Sequence, residues 1–555
     1  MLTVLSFTLM AGPQKFSKNN QALTWEKTLL DVGNWRYYMT ARGEGGYDPE
    51  SGYGGGYYPL EGNVVIYKDG LLWAGWLKNP ITGEKIAEQP LRAGGIFYRT
   101  SMQPGWINED GSPANPKDAQ TWIYRFTKMD KLIGTDFLER DASYLLNIPI
   151  DQITMGDINQ ISDKEANDTM NWPVQYGAPF IDGDENGKYE FGIDQPGFAQ
   201  SDQIVWNVIN DLDSGAAYFA TGSWPIGIEI KITAWTYAGK FSPQGQVIFK
   251  RYQFINKSDY LLDSLFVGIW VDADIGYYAD DLAGCDSTRN FFYVYNGNWI
   301  DEESSTLGLA PPAVGIKVLQ GPIVFTGNLQ DTALFHQHWK AGYKNLGLSA
   351  FNYLARPFLE NNPPGGSRLT TYSIFNLLRG YFPYTELNYL QPFKVGYGPR
   401  KGQFTRFPLN GNPITGQGDL DGMGNNPKPG DRVVSGSFGP LTMKPGEEQE
   451  IIFAIIGGLG GDRLQSLAEV EKLLPFVNLY YRAAFTDIPR APAYPEAKAR
   501  PLGDKIVLNW GFDQDRVHEV EEQAPAGYRF EGYNIYQLKP VYKQDVSNVG
   551  ARDYF

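Results

Sequence analysis

The chain has 555 residues, more than a single hydrophobic core usually serves, so more than one domain is expected. Its 63 glycines, 36 prolines and 14% aromatic residues describe a turn-rich, β-prone chain and exclude coiled coils, helical bundles and disordered tails, while one cysteine and three histidines exclude a disulfide scaffold and a Cys/His zinc module. A formal net charge of −15 argues against nucleic-acid partners and favours hard divalent cations, and no run of about 20 apolar residues offers a membrane span.

In chain order, residues 1–12 read as the remnant of a secretory signal peptide. A short apolar opening closes on the small residues Ala11 and Gly12, and the basic segment that should precede it is missing. Secretion or display at the cell surface is the expected localisation. Residues 20–487 are expected to form a large antiparallel β-sandwich region, as one unit or two. The clearest strand is 226–234. Ile226, Ile228, Ile230, Ile232 and Ala234 share one face and Glu229, Lys231 and Thr233 the other, which predicts a half-buried strand. Strands follow at 247–255 and 262–271, joined by the turn 256–259. Segment 450–456 is apolar almost throughout and predicts a central strand covered on both faces.

One helix is expected. Leu464, Leu467, Val470, Leu473 and Leu474 keep helical spacing after an N-cap at Asp462, with Gln465 three residues on and Pro475 set to kink the helix. The low-complexity stretches 43–58 and 361–366 read as mobile surface loops. Residues 488–501 read as a proline-rich linker. After it come strand 505–510, ending in Trp510, and the Gly532-Tyr533-x-Ile535-Tyr536 strand. This succession resembles the first half of a fibronectin type III module, so residues 502–555 are expected to be an incomplete domain of that kind.

Three acidic loops carry the strongest chemical signal. Asp182, Asp184 and Asn186 occupy positions one, three and five of a loop with Gly187 at six, the spacing that lets oxygen ligands converge on calcium. Ile193 stands where a full loop has its bidentate acid. Glu190 and Asp194 supply further carboxylates, so the match is partial, nearer a dockerin-like or thrombospondin-like loop than an EF-hand. The second run holds Asp272, Asp274, Asp280, Asp281 and Asp286, which repel one another unless a cation neutralises them. Asp419 and Asp421 form a third, less specific Asp/Gly/Asn loop. Structural calcium is the cofactor expected of all three.

Other candidates are weaker. Cys285 lies among acids that disfavour its thiolate, and a small buried thiol is expected. His336 and His338 would need a third ligand to hold a metal on one strand face, and a surface pair is the simpler reading. Glu229, Asp202 and Asp211 are available for glycosidase chemistry, and Trp206, Trp224 and Trp235 either stack on sugars or fill the core. No nucleophile elbow, P-loop, dinucleotide fingerprint or HExxH motif is present, and no catalytic residue is assigned.

Taken in order, several phrases resemble a family of large exported proteins of Bacteroidota and related phyla, cargo of type IX secretion. They include Tyr58-Pro-Leu-Glu-Gly62, Gly70-Leu-Leu-Trp-Ala-Gly75, Trp172-Pro173 leading to Asp182, and Asp194-Gln-Pro-Gly197. Later come Asp272-Ala-Asp274-Ile-Gly276 with Asp280-Asp281, Tyr295-Asn-Gly297, Gln320-Gly-Pro322 and Lys444-Pro-Gly446. The resemblance implies export and a β-rich ectodomain followed by fibronectin-like modules, and it brings no reaction. The function expected is a secreted or cell-surface, calcium-stabilised β-sandwich with a structural, adhesive or glycan-binding role. Its partners would be surface polysaccharide or other surface proteins. The alternatives are an extracellular polysaccharide-active enzyme and a subunit of a surface filament or layer.

Overall fold

The computed structural model describes residues 26–128, 136–198, 201–355, 366–483, 485, 497–522, 529–533 and 535. The fold is mainly β, and its strands pair antiparallel. A nine-stranded sheet runs Tyr124–Thr127, Gln203–Asn210, Ile228–Thr236, Val247–Asn256, Glu448–Gly458, Ala313–Gln320, Phe291–Asn296 and Asp281–Asp286, with Gln103–Pro104 paired off this path. A five-stranded sheet runs Ala350–Ala355, Arg432–Met443, Leu261–Ala273, Lys68–Lys78 and Leu91–Gly95. Turn 256–259 therefore joins strands of different sheets.

The two sheets face each other because each turns an alternate-residue apolar face inwards. Ile230, Ile232, Ile248, Phe453 and Ile455 of the larger sheet share one core with Leu71, Trp73, Val267, Ile269 and Val434 of the smaller. Both outer faces are also covered. Helix Arg463–Arg482 lays Leu467, Val470, Val477 and Tyr480 over Trp206, Trp235 and Phe249 of the larger sheet. Helix Arg368–Leu378 lays Ile374, Phe375 and Leu378 over Leu72, Trp270 and Leu354 of the smaller. The order of layers is helix, sheet, sheet, helix. Burying side chains of this size stabilises by about 1.5–3 kcal/mol each.

Local expectations meet this architecture unevenly. Asp462 caps its helix by accepting from the N–H groups of Leu464 and Gln465, and the helix runs unbroken through Pro475. Glu448–Gly458 is central and buried. Strand Ile228–Thr236 is buried on both faces, not one. Its polar face carries Glu229 and Thr233 under cover, because Ile107 and its neighbours lie across it.

The glycine-rich stretch 43–58 is the larger surprise. Gly43, Gly45, Gly46 and Gly54 to Gly56 are buried, and the segment contributes strand Gly56–Tyr58 to a four-stranded sheet with Lys27–Leu30, Arg36–Thr40 and Asn63–Ile66. Glycine is required there by close approach. A Cβ on Gly45 would run into the Tyr37 hydroxyl, Lys250 Nζ and Asp69 Oδ2.

Helices beyond the expected one include Phe137–Leu146, Met155–Met170, Ser214–Thr221, Glu302–Thr306 and Arg368–Leu378. At the C-terminal end, Lys498–Leu502 pairs with Lys505–Asn509, so a strand takes up the close of the expected linker. Helix Gln514–Glu522 follows. The expected signal remnant, segment 361–365 and linker residues 488–496 lie outside the described residues, and of the expected final strand Gly532, Tyr533 and Ile535 are described and belong to no strand. Among the described residues no helix is long and apolar enough to cross a membrane.

Candidate cation sites in two acidic loops

The first acidic loop is closed by the strand pair Phe180–Ile181 and Gln195–Pro196, which sets Asp182 and Asp194 side by side at its base. Oxygens of Asp182, Asp184 and Asp194 lie within 4.8 Å of one another. Asp182 accepts the N–H groups of Gly187 at 2.7 Å and Asn186 at 3.1 Å. These bonds hold its carboxyl below the usual carboxylate range, the Gly187 bond contributing most. Asp194 accepts from Gly183 at 2.8 Å and from Glu190 at 2.6 Å. Asn186 turns its amide NH₂ to Asp184 and Glu190, while its oxygen accepts the Lys188 N–H. Asp182, Asp184 and Asp194 thus converge, whereas Asn186 and Glu190 hold the loop from its rim.

The second acidic run divides. Asp272 ends strand Leu261–Ala273, and register pairs Ala273 with Arg432 on the neighbouring antiparallel strand. Asp274, one step beyond, therefore meets Asp431, and oxygens of Asp272, Asp274 and Asp431 lie within 4.8 Å of one another. Asp272 is 5% exposed. Burial, with Asp274 and Asp431 beside it, pushes the Asp272 carboxyl well above its ordinary value. Asp274 is raised to about 7 by burial first, then by Asp431 and Glu303. Relief comes from the Tyr98 hydroxyl and from Lys68, whose Nζ is already paired with Glu44 at 2.6 Å.

Asp280 and Asp281 extend this acidic patch. Asp281 is fully buried and accepts the Ile275 N–H at 3.1 Å through one oxygen, while its other oxygen has no hydrogen-bond partner. Burial followed by Asp274, Asp280 and Asp301 raises it well above the ordinary value, apart from the relief given by the Ile275 N–H. Asp280, raised to about 6 by burial and Asp301, likewise has one buried oxygen unpartnered. Buried carboxylates that face other carboxylates need a proton or a cation. The donor set is all oxygen and anionic, which fits calcium.

Asp286, at the far end of strand Asp281–Asp286, stands apart from this group. It pairs with Arg289 and accepts from Thr288. Asp419 and Asp421 are not gathered with other acids either. Asp419 accepts N–H groups of Gly396, Tyr397 and Leu409 and the amide of Asn426. Asp421 pairs with Arg432 at 2.7 Å and accepts the Ala283 N–H at 2.8 Å. Their oxygens are spent on structure, so this loop differs from the cation-binding loop expected.

Sequence reasoning missed Asp431. No local motif marks it, and only the strand register brings it to Asp274.

The other candidates have structural employment. Cys285 is buried against the Pro408 carbonyl, and burial with Asp286 and Asp419 pushes its thiol up. His336 and Gln337 form a turn with positive φ between strands Thr332–Phe335 and His338–Ala341, which places the two histidines around a hairpin tip. Glu229 accepts the Ile107 N–H, Asp211 accepts those of Ile226, Gly227 and Ile228, and Asp202 accepts that of Ala238. Trp206 and Trp235 are core residues. Trp224 is 52% exposed and lies beside the exposed Tyr218, ring centroids 5.1 Å apart. A scan against protein-family models matched none, and a search of curated proteins found no relative.

Proposed function

We propose that this chain is a secreted or cell-surface protein whose β-sandwich is stabilised by calcium and serves a structural, adhesive or glycan-binding role. One observation carries the reading. Asp272, buried, and Asp274 and Asp431, half-buried, converge from two strand ends, and Asp281, with one unpartnered oxygen, lies near enough to Asp274 and Asp280 to feel their charge. Three carboxylates whose oxygens come so close together make sense as a ligand set for a hard cation. The exposed loop at Asp182 offers a second, more accessible set.

Calcium in these places would staple the ends of strands to long connections, and it would do no chemistry. Export is supported by the resemblance to secreted Bacteroidota proteins. The exposed pair Trp224 and Tyr218 supports glycan contact, since flat aromatic faces suit sugar rings. Thermal unfolding in calcium and in chelator tests the central part of the reading. A cation that binds only the folded state at a hundredfold excess over Kd contributes about 2.7 kcal/mol, so the melting temperature should fall on chelation and return with added calcium. Identical melts would refute the calcium role. Loss of polysaccharide binding in Trp224→Ala, with the melt unchanged, would support the glycan role.

A further inference from the structure

The centre of the sandwich holds a lysine, an aspartate and a tyrosine that the calcium reading does not use. Lys250 belongs to Val247–Asn256 of the nine-stranded sheet and Asp69 to Lys68–Lys78 of the facing sheet. Both are fully buried, as is Tyr37. Lys250 Nζ contacts Asp69 Oδ1, and the Tyr37 hydroxyl donates to Asp69 Oδ2. Nζ also lies 3.1 Å from that hydroxyl. The rings of Tyr252 and Phe453 stand 5.4 Å and 5.9 Å from Nζ. Gly45 closes the remaining side, its main chain bonded in both directions to that of Asp69.

We propose that Lys250 and Asp69 condense to an isopeptide bond that joins the two sheets covalently. An ammonium and a carboxylate buried together keep a large desolvation cost. Burial works against the Lys250 ammonium, yet Asp69 beside it holds the amine above its ordinary range, so attack begins with a proton passed within the pair from Nζ to Oδ1, which leaves a neutral amine beside a neutral carboxylic acid. The amine lone pair then attacks Asp69 Cγ. A C–N bond forms and the bond from Cγ to Oδ1 breaks. Oδ1 departs as water, with the proton it received and one more from the amine nitrogen. The balance is amine plus carboxylic acid to amide plus water, with no oxidant and no co-reactant.

Tyr37 is the positioning residue. Its hydroxyl holds Oδ2, the oxygen that remains as the amide carbonyl, and stabilises the negative charge that gathers there during attack. The sheets hold amine and carboxyl in contact throughout, so the entropy of bringing them together is met by folding. The product replaces two buried charges with one amide and ties residue 69 to residue 250 across the core. A surface protein under mechanical load gains most from such a tie. The bond itself stands independently of the calcium reading.

The test is the mass of the purified full chain under denaturing conditions, followed by tryptic mapping. The expected mass is lower than the sequence mass by one water. Trypsin should fail to cut after Lys250 and should release a branched peptide joining 69–78 to 241–251. Asp69→Asn should form the same bond with loss of ammonia, and Asp69→Ala should keep its full mass. Tyr37→Phe should leave a fraction unjoined. Full mass in the unmodified chain, with a separate 241–250 peptide, would overturn the proposal. So would a water loss confined to a linear 69–78 peptide, because Asp69 precedes Gly70 and a succinimide there has the same mass.

Discussion

Asp431 and Arg432 are neighbours at the start of one strand and enter opposite surroundings. Arg432 turns to Asp421, whose oxygens it shares with the Ala283 N–H, so a buried acid meets a buried base and its lone pairs are filled. Asp431 lies with Asp272 and Asp274, so a half-buried acid meets two more acids. The two regions are alike in composition and in place at a strand end, though Asp421 and Arg432 are buried while Asp274 and Asp431 are half-buried. The neighbours differ as well, a guanidinium beside Asp421 and two carboxylates beside Asp431, and crowded carboxylates favour a cation more than a carboxylate facing a base does. Asp-rich composition alone does not distinguish the two.

The comparison can be broken first at its closed end. Arg432→Met should cost about 3–5 kcal/mol by stranding Asp421, and urea unfolding should give the same loss with and without calcium. Calcium dependence of that loss would mean the two regions are one system. The open end should behave with a change of sign. In chelator, Asp431→Asn should be neutral or stabilising because it removes a like charge. In saturating calcium it should forfeit most of the cation's stabilisation, about 2.7 kcal/mol at a hundredfold excess over Kd. A loss of equal size in both media would make Asp431 an ordinary structural residue.

Proton and cation should compete at the open end. Asp274 sits at about 7 in the folded chain against an ordinary 3.8. A raised folded value means the folded state holds a proton that the unfolded chain has released. In chelator, this contribution to stability is therefore full below about pH 4 and lost as pH rises through about 7. Calcium takes the proton's place and should flatten that decline, a difference visible in melts collected from pH 5 to pH 8. The smallest effect belongs to the exposed loop. Asp182→Ala should barely move the global melt yet speed tryptic cutting at Lys188 in calcium, to the rate the unaltered loop shows in chelator.

What was readable in the chain follows the range of the forces involved. Strand Ile228–Thr236 and the cap at Asp462 are encoded by residues a few positions apart, and alternation or capping chemistry suffices to find them. The capping box at Thr154 and Asp157 was equally local and marks helix Met155–Met170. Helix Arg368–Leu378 is harder. Threonines, tyrosine, isoleucine and phenylalanine favour strands, and the helix stands because Ser367 caps it and Trp270 lies beneath it. The glycine-rich stretch 43–58 has the composition of a loose loop, yet Gly45 is selected by close approach to Tyr37, Asp69 and the distant Lys250, and Gly43 by Ile96, Ile209 and Ile232.

The candidate site divides in the same way. The Asp182 loop was legible because its carboxylates are spaced along one short turn. In the Asp272 run, proximity along the chain was misleading. Asp286 leaves with Arg289, whereas Asp431 arrives through strand pairing that no local pattern announces.

Calorimetric titration of calcium into chelator-treated full-length protein tests the central claim most directly. The account predicts saturable binding that is largely lost in Asp272→Asn/Asp431→Asn and retained in Asp421→Asn. Absence of binding to the unaltered chain, or binding unchanged in the double variant, would contradict it.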